Sequence, residues 1–244
     1  MTTLLINIDH VATLRNARRE RFPDPVVIAL ACERAGADGI VFHLREDRRH
    51  IKDADVRRLK QKIHSKLDFE CSLASDVIDI CCDVKPDLAT LVPERREEIT
   101  TEGGIDAIGN RKRITHTVDR LHAAGVKKVA LFIDPNQDQL RAAADTGADI
   151  IELHTGDYAN VVTEMESIQS LNLLADAARF AHELNLVVHA GHGLDYDNYE
   201  AFRANVPFVA EVSIGFAVIA RSLLTGITVA VQEMKFLVSG PDSE

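Results

Sequence analysis

The chain contains no tryptophan, only 5% aromatic residues and four cysteines in 244 residues. So few rings exclude a core built on large aromatics. The 46% apolar content must come mainly from Val, Ile, Leu and Ala, which suits the interior of an α/β barrel. Cys32, Cys71, Cys81 and Cys82 fit neither a disulfide framework nor a zinc site by spacing. Each lies in an apolar stretch, so buried free thiols in a reducing compartment are expected. No apolar run approaches the ~20 residues of a membrane-spanning helix. The opening Met1-Thr2-Thr3 runs into a strand with no basic segment or cleavage pattern. The expectation is a cytoplasmic chain with no membrane partner. Positive charge is scarce as well, 28 Lys and Arg against 38 Asp and Glu, a net −10. That argues against nucleic acid or an anionic membrane surface as the main partner.

The arginines are unevenly spread. Arg15, Arg18, Arg19 and Arg21, then Arg45, Arg48 and Arg49, fall in two segments that read as loops after strands. Local arginine-rich loops in an acidic protein suit a small anion, and a solvated charged face is the plain alternative. The rest of the chain alternates short apolar runs with longer amphipathic ones. Strands are expected over residues 4–8, 39–43, 67–72, 87–92, 128–133, 149–153, 186–190 and 208–214. The first long helix opens with Asp24 as N-cap and Pro25 behind it, and ends at Gly36. Others are expected from Asp53 as a cap to 64, and over 75–85, 111–124, 137–146, 165–184 and 216–238. Residues 35–43 and 146–154 resemble one another, each a glycine-ended helix, a tight turn and a buried parallel strand. A doubly wound open sheet usually carries a glycine-rich fingerprint after its first strand, where this chain has Asn7-Ile8-Asp9-His10. The expected fold is therefore a (β/α)8 TIM barrel with additional short helices in the strand–helix loops. It should form one domain over residues 1–240, with a flexible polar tail at 241–244.

A barrel carries its chemistry at the carboxyl ends of its strands. Those ends hold Asn7, Asp9 and His10; His43 and Arg45; Glu70; Glu94; Asp134; Glu152 and His154; His189 and His192; Ser213 and Gly215. Buried carboxylates and imidazoles cost stability unless paired, so a whole ring of them points to a polar pocket. Taken singly, His43 or His154 reads more readily as a hydrogen-bonded structural histidine than as a functional one, and Asp134-Pro135 as a turn. Glu70 stands between Phe69 and Cys71 within a strand, and alternation points it opposite them, toward the barrel interior. There it can hold a raised pKa, as a general acid/base requires.

A metallohydrolase needs a ligand cluster such as His-x-His on the first strand, which is absent. His189-Ala190-Gly191-His192 offers a ligand spacing, but its glycines suit a backbone loop near a ligand equally well. A Schiff-base aldolase needs a lysine at a strand's carboxyl end, whereas Lys66, Lys127 and Lys128 border amino ends. What remains is metal-free acid–base work on a substrate that brings its own nucleophile. Gly191-His192-Gly193 and Ile214-Gly215-Phe216 follow the seventh and eighth strands, a frequent place for phosphate in such barrels.

Asn7-Ile8-Asp9-His10-Val11-Ala12-Thr13-Leu14-Arg15-Asn16-Ala17-Arg18 and Phe42-His43-Leu44-Arg45-Glu46-Asp47-Arg48-Arg49-His50-Ile51 are distinctive segments. Together with Leu91-Val92-Pro93-Glu94, Thr100-Thr101-Glu102-Gly103-Gly104, Ile151-Glu152-Leu153-His154-Thr155-Gly156 and Ala190-Gly191-His192-Gly193-Leu194, the chain resembles the pyridoxine 5′-phosphate synthases over almost its whole length. The resemblance implies condensation of 1-deoxy-D-xylulose 5-phosphate with 3-amino-2-oxopropyl phosphate to pyridoxine 5′-phosphate, phosphate and water, in a homo-octamer without metal or organic cofactor. The substrate amine would form the imine, which accounts for the missing lysine. It implies His43 as proton acceptor, Glu70 as acid/base, His192 as proton donor and Glu152 as transition-state stabiliser. Asn7, Asp9, His10, Arg18, Arg45, His50 and Thr100 would bind substrates, with Gly193, Gly215 and Phe216 near phosphate. Phe216 departs from the family's usual histidine, so a backbone contact survives there and an imidazole contact does not. Another phosphosugar isomerase or aldolase on the same barrel is the alternative enzyme, and a binding or assembly barrel the non-enzymatic one. Residues 94–104 and the loop after Thr155 are candidates for a closing segment.

Overall fold

The computed structural model describes residues 1–94 and 103–240. Eight strands are all parallel and close in sequence order: β1 (Thr3–Asn7), β2 (Gly39–His43), β3 (Lys66–Cys71), β4 (Leu88–Leu91), β5 (Lys128–Ile133), β6 (Ile150–His154), β7 (Val187–Gly191) and β8 (Val209–Ile214). β8 returns to pair with β1, Leu4 against Val212 and Ile6 against Ile214, so no edge is left open. The strands match expectation to within about two residues, and the (β/α)8 barrel is the observed architecture. The tail at 241–244 lies outside the described residues.

Outside the barrel run α1 (Asp9–Ala17), α2 (Pro25–Ala35), α3 (Asp53–Lys62), α4 (Ser75–Val84), α5 (Ala107–Ala124), α6 (Gln137–Ala144), α7 (Gly156–Ala159), α8 (Glu164–Glu183), α9 (Tyr199–Asn205), α10 (Phe216–Thr225) and α11 (Ile227–Ser239). α2 forms as its sequence demands: the Asp24 carboxylate accepts the Val26 N–H, Pro25 opens the helix, and Gly36 ends it at φ 105.

Four expectations need correction. The segment holding Arg15 is no loop; Asp9–Ala17 is helical, and its polar composition hid the 3.6-residue spacing of the buried Val11 and Arg15. Helix α5 begins at Ala107, four residues before the expected Arg111, because Asp106 caps it by accepting the Gly109 N–H. Asp53 does not cap α3. Lys52 holds that place, and the Asp55 carboxylate accepts its N–H. The final helix is two helices, since Gly226 sits at φ 80, ψ 153, outside helical geometry. The short α1 and α7 are the additional helices expected in the strand–helix loops, whereas α9 is the crossover helix between β7 and β8, which the sequence reading does not place.

The main hydrophobic core lies between strands and helices. Leu4, Ile6, Phe42, Phe69, Leu131, Ile151 and Val212 point outward and pack with Val26, Val56, Ile114 and Val231 of the helix ring. The smaller cluster of Leu88, Ala130 and Ile150 lies on the opposite faces of their strands. Leu5, Val41 and Phe132 also face inward, and among them the barrel interior carries many polar and charged groups. Lys66 on β3 donates to both carboxylate oxygens of Glu211 on β8, at 2.8 Å each. Those strands are not neighbours, so the pair crosses the lumen. Thr90 donates to Asp68 beside it. Cys32, Cys71 and Cys81 are buried, Cys82 is half-buried, and all four are free thiols. Among the described residues, no helix is long and apolar enough to cross a membrane.

Candidate active site

The first group of polar residues is set by β1, β2 and the segments that follow them. Asn7 at the end of β1 accepts the Asp9 N–H through Oδ1 (2.8 Å), which turns the chain into α1. The Asp9 carboxylate then reaches β2 and accepts the His43 backbone N–H at 2.9 Å. His43 is buried and its Nε2 lies 2.9 Å from Oε1 of Glu94, just beyond β4. The second oxygen of Glu94 accepts the Glu46 N–H at 3.0 Å and lies 3.8 Å from Arg45 Nε. Burial alone would raise the Glu94 carboxyl. The His43 hydrogen bond and charge, the Glu46 N–H and Arg45 outweigh it and hold the group below its usual range.

His50 is anchored by Arg15, read from the sequence as part of a charged loop, and by Asn16 and Asp55. Arg15 of α1 makes a bidentate pair with Asp55 (2.8 Å twice) and donates to the His50 carbonyl, while Asn16 donates to the Arg49 and His50 carbonyls. The His50 ring accepts the Ile51 N–H on Nδ1, so its proton sits on Nε2. Burial lowers the His50 pKa, opposed by Asp9 and reinforced by His43, Arg45 and His10. Arg18, expected to bind substrate, stands exposed at the C-cap of α1. Thr100 lies outside the described residues. Asp9, His43 and His50 bring potential cation ligands within 4.8 Å of one another. Asp9 is already held by His43 N and Asn7, His43 Nε2 by Glu94, and His50 Nδ1 by Ile51. Internal bonds therefore account for this trio as it stands.

The second group lies in the lumen. Glu70 is buried beside His43 in the β2–β3 register, pointing opposite Phe69 and Cys71 as alternation requires. Burial, then the negative charges of Glu152, Asp9 and Asp68, push its pKa well above the carboxylate range. Glu152, opposite His189 on β7, is raised likewise by burial, Asp68 and Glu211, against the pull of Lys66. Its Oε1 is buried and has no hydrogen-bond partner among the described residues. A neutral carboxyl with a free acceptor suits a group that awaits a ligand. His189 sits 3.2 Å from Glu211, and burial followed by Lys66 holds its pKa near about 3.

The third group belongs to β5 through β8. His154 Nδ1 meets Asp134 at 3.1 Å, and the same carboxylate oxygen accepts the Gly104 N–H. His192 follows β7 at φ 70, left-handed for a non-glycine residue, with the Thr155 hydroxyl donating to its carbonyl. Its ring packs on Phe132 at 4.2 Å and its Nδ1 lies 4.0 Å from Glu152 Oε1. Burial, with His154, His43 and His10 adding to it, pushes the imidazole down to about 3. A quarter of the side chain (25%) still faces solvent, which moderates the desolvation while leaving the ring neutral at pH 7.

Glycines bring the backbone close here. A Cβ on Gly191 would overlap the Glu152 carboxylate, one on Gly193 (φ 86) would overlap Ala159, and one on Gly215 would sit 2.9 Å from Asn7 Cβ. Gly215 precedes α10, whose first turn has neither a side-chain cap nor an acidic residue. Its N–H groups are thus disposed toward an anion. Phe216 is 68% exposed and meets His10 edge-on at 5.2 Å. His10 Nδ1 is buried with no hydrogen-bond partner among the described residues, and burial lowers its pKa against the opposing charge of Asp9. Of the sequence-predicted site residues, Asn7, Asp9, His10, His43, Arg45, His50, Glu70, Glu152, His192, Gly193, Gly215 and Phe216 share the carboxyl rim or the lumen beneath it.

A parallel barrel with several proton-carrying side chains converging on its carboxyl rim defines a (β/α)8 acid–base enzyme. The family model "Pyridoxal phosphate biosynthesis protein PdxJ" matches residues 4–240, and the chain belongs to that family. It is 60% identical over 239 residues to the pyridoxine 5′-phosphate synthase of Salinibacter ruber, covering 98% of each chain. It is 48% identical over 240 residues to the synthase of Coxiella burnetii, covering 98% of this chain and 99% of that one. Solved structures share the fold at low identity. KGPDC from Streptococcus mutans gives a TM-score of 0.67 at 12% identity over 98% of each chain. Phosphoribosylanthranilate isomerase from Thermotoga maritima gives 0.63 at 13%, over 98% of this chain and 100% of that one.

Proposed function

We propose that this protein condenses 3-amino-2-oxopropyl phosphate with 1-deoxy-D-xylulose 5-phosphate, releasing pyridoxine 5′-phosphate, inorganic phosphate and water. The observation that carries this reading is 60% identity across 98% of a pyridoxine 5′-phosphate synthase; the burial of His43, Glu70 and Glu152, with His192 4.0 Å from Glu152, supports it. The amine of one substrate adds to the ketose carbonyl of the other and water leaves, so the imine forms between substrates. A carbon–carbon bond then closes the ring, and phosphate and further water depart.

Each bond change moves a proton, and the site offers groups in matched states. Glu70, held protonated by burial and neighbouring carboxylates, donates to a departing hydroxyl and then serves as base for the next step. His43 accepts a proton. Glu152 stabilises the transition state, its carboxyl oxygen serving as a hydrogen-bond acceptor in the lumen. Burial holds His192 neutral; a bound phosphate dianion favours its charged form and so prepares it as a donor. Asn7, Asp9, His10, Arg45 and His50 orient the substrates. Gly193 and the Gly215–Phe216 turn offer backbone N–H groups to phosphate. Arg18 and Thr100 complete the substrate-binding set by family resemblance. No metal or organic cofactor enters this scheme. We read residues 1–240 as one catalytic domain acting in the cytoplasm as a homo-octamer. Exposed apolar side chains such as Leu223 and Leu224 on α10 support self-association.

The test is to incubate the purified protein with both phosphates and follow pyridoxine 5′-phosphate by absorbance and mass. Glu70→Gln should stay folded and lose about 10²–10⁴ in turnover, the usual contribution of a positioned acid/base. Full activity would remove Glu70 from the mechanism. Trapping of a lysine adduct by borohydride would favour an aldolase instead.

A further inference from the structure

Glu94 lies at the carboxyl end of β4 and holds two neighbours at once. Oε1 faces His43 Nε2 at 2.9 Å, and Oε2 accepts the Glu46 backbone N–H at 3.0 Å. Both side chains of the histidine pair are almost fully buried, 5% and 7% exposed, so water competes little for either. We propose that Glu94 is the positioning residue of His43, fixing the imidazole proton on Nε2 and leaving Nδ1 as the atom that accepts a proton from substrate. This deepens the synthase reading and rests on His43 being its base.

An ionised carboxylate only accepts hydrogen bonds, so the nitrogen facing it must carry hydrogen. A neutral imidazole has one such nitrogen, and the other then keeps its lone pair. The His43 N–H of the main chain is tied to Asp9, which fixes the backbone beneath the ring. Asp9 from α1, Arg45 and His50 from the segment after β2, Glu70 from β3 and His192 after β7 are the other charged or titratable groups around His43. Among the described residues, it is Glu94 that makes a side-chain hydrogen bond to the ring. The same logic governs hydrolytic triads, where a carboxylate selects the tautomer of the histidine base.

The Glu46 N–H makes the idea sharply testable. In Glu94→Gln, the amide oxygen is drawn to that N–H, because an NH₂ there would oppose a donor with a donor. The NH₂ then faces His43 Nε2, which must accept. The proton moves to Nδ1 and blocks the base. In Glu94→Ala the ring is unconstrained and can sample both tautomers. The near-isosteric substitution should therefore harm more than the truncation. We expect Glu94→Gln to lose about 10²-fold in kcat, the low end of acid–base contributions, with KM within about threefold and Glu94→Ala losing less. In ¹⁵N spectra of histidine-labelled protein, the signal assigned by its loss in His43→Asn should be Nε2-protonated in the native chain and Nδ1-protonated in Glu94→Gln. A residue that merely supports the fold predicts the reverse order, Ala worse than Gln, with the tautomer unchanged. Either result overturns the proposal. Failure of the synthase reading looks different: the native chain makes no pyridoxine 5′-phosphate. An active His43→Asn variant removes His43, and Glu94 with it, from the chemistry.

Discussion

Asp68→Asn probes the polar lumen without touching a group assigned to the reaction. Asp68 is 2% exposed. Burial, then Glu211, raise its carboxyl from 3.8 to about 8, against the lowering effects of Lys66 and the Thr90 hydrogen bond. The unfolded chain releases this proton near pH 3.8, whereas the folded barrel keeps it until about pH 8. Between those values the native state binds more protons than the unfolded one. The stability tied to this proton is complete below the unfolded pKa and falls as pH rises through the folded pKa. At 1.36 kcal/mol per pKa unit, the loss between about pH 5 and about pH 8 is on the order of 3–4 kcal/mol. At roughly 2–4 °C per kcal/mol, that corresponds to about 10 °C in Tm. Asparagine cannot ionise, and its oxygen can still accept from Thr90. Any cost of its extra N–H groups is the same at every pH. Thermal and urea unfolding across this range should therefore show the variant gaining on the native protein as pH rises. Parallel profiles would refute the argument.

Gly191→Ala places a methyl group against the Glu152 carboxylate, which is packed in the lumen and has little room to retreat. The expected cost is about 1–3 kcal/mol of stability, with a loss of turnover greater than the loss of substrate affinity, read from denaturation and steady-state kinetics. Asp55→Ala leaves Arg15 buried without its bidentate partner, so unfolding should become easier by about 3–5 kcal/mol. Since Arg15 also holds the His50 carbonyl, KM should rise in the folded fraction. An unchanged KM would uncouple that pair from His50.

Much of this fold is written locally. β2 and β5 match expectation residue for residue because each is a buried apolar run behind a glycine-ended helix. α1 was less legible, since a nine-residue helix carrying Asp, His, Arg and Asn looks like a charged loop until its partners are present. The split at Gly226 leaves no mark in the hydrophobic pattern, because apolar residues continue on both sides of it. In the site, Glu70 could be placed by alternation alone. Glu94 and Asp55 could not be given their partners, because His43 and Arg15 are 51 and 40 residues away and only barrel closure joins them. Lys66 was correctly placed at an amino end. That its ammonium turns inward to Glu211 depends on a carboxylate five strands later.

The division between an apolar shell and a charged lumen separates two ways in which such a protein can change. Substitutions in the shell, among residues such as Phe42, Phe69 and Val231, alter heat resistance through packing while leaving proton affinities at the rim alone. Substitutions in the lumen adjust acidity from beneath, without contact with substrate: Asp68 acts on both Glu70 and Glu152, and Glu211 on Glu152. A lineage moving to hotter or more acidic surroundings could thus tune durability in one layer and chemistry in the other. An engineer shifting its working pH would begin inside the barrel rather than at its mouth.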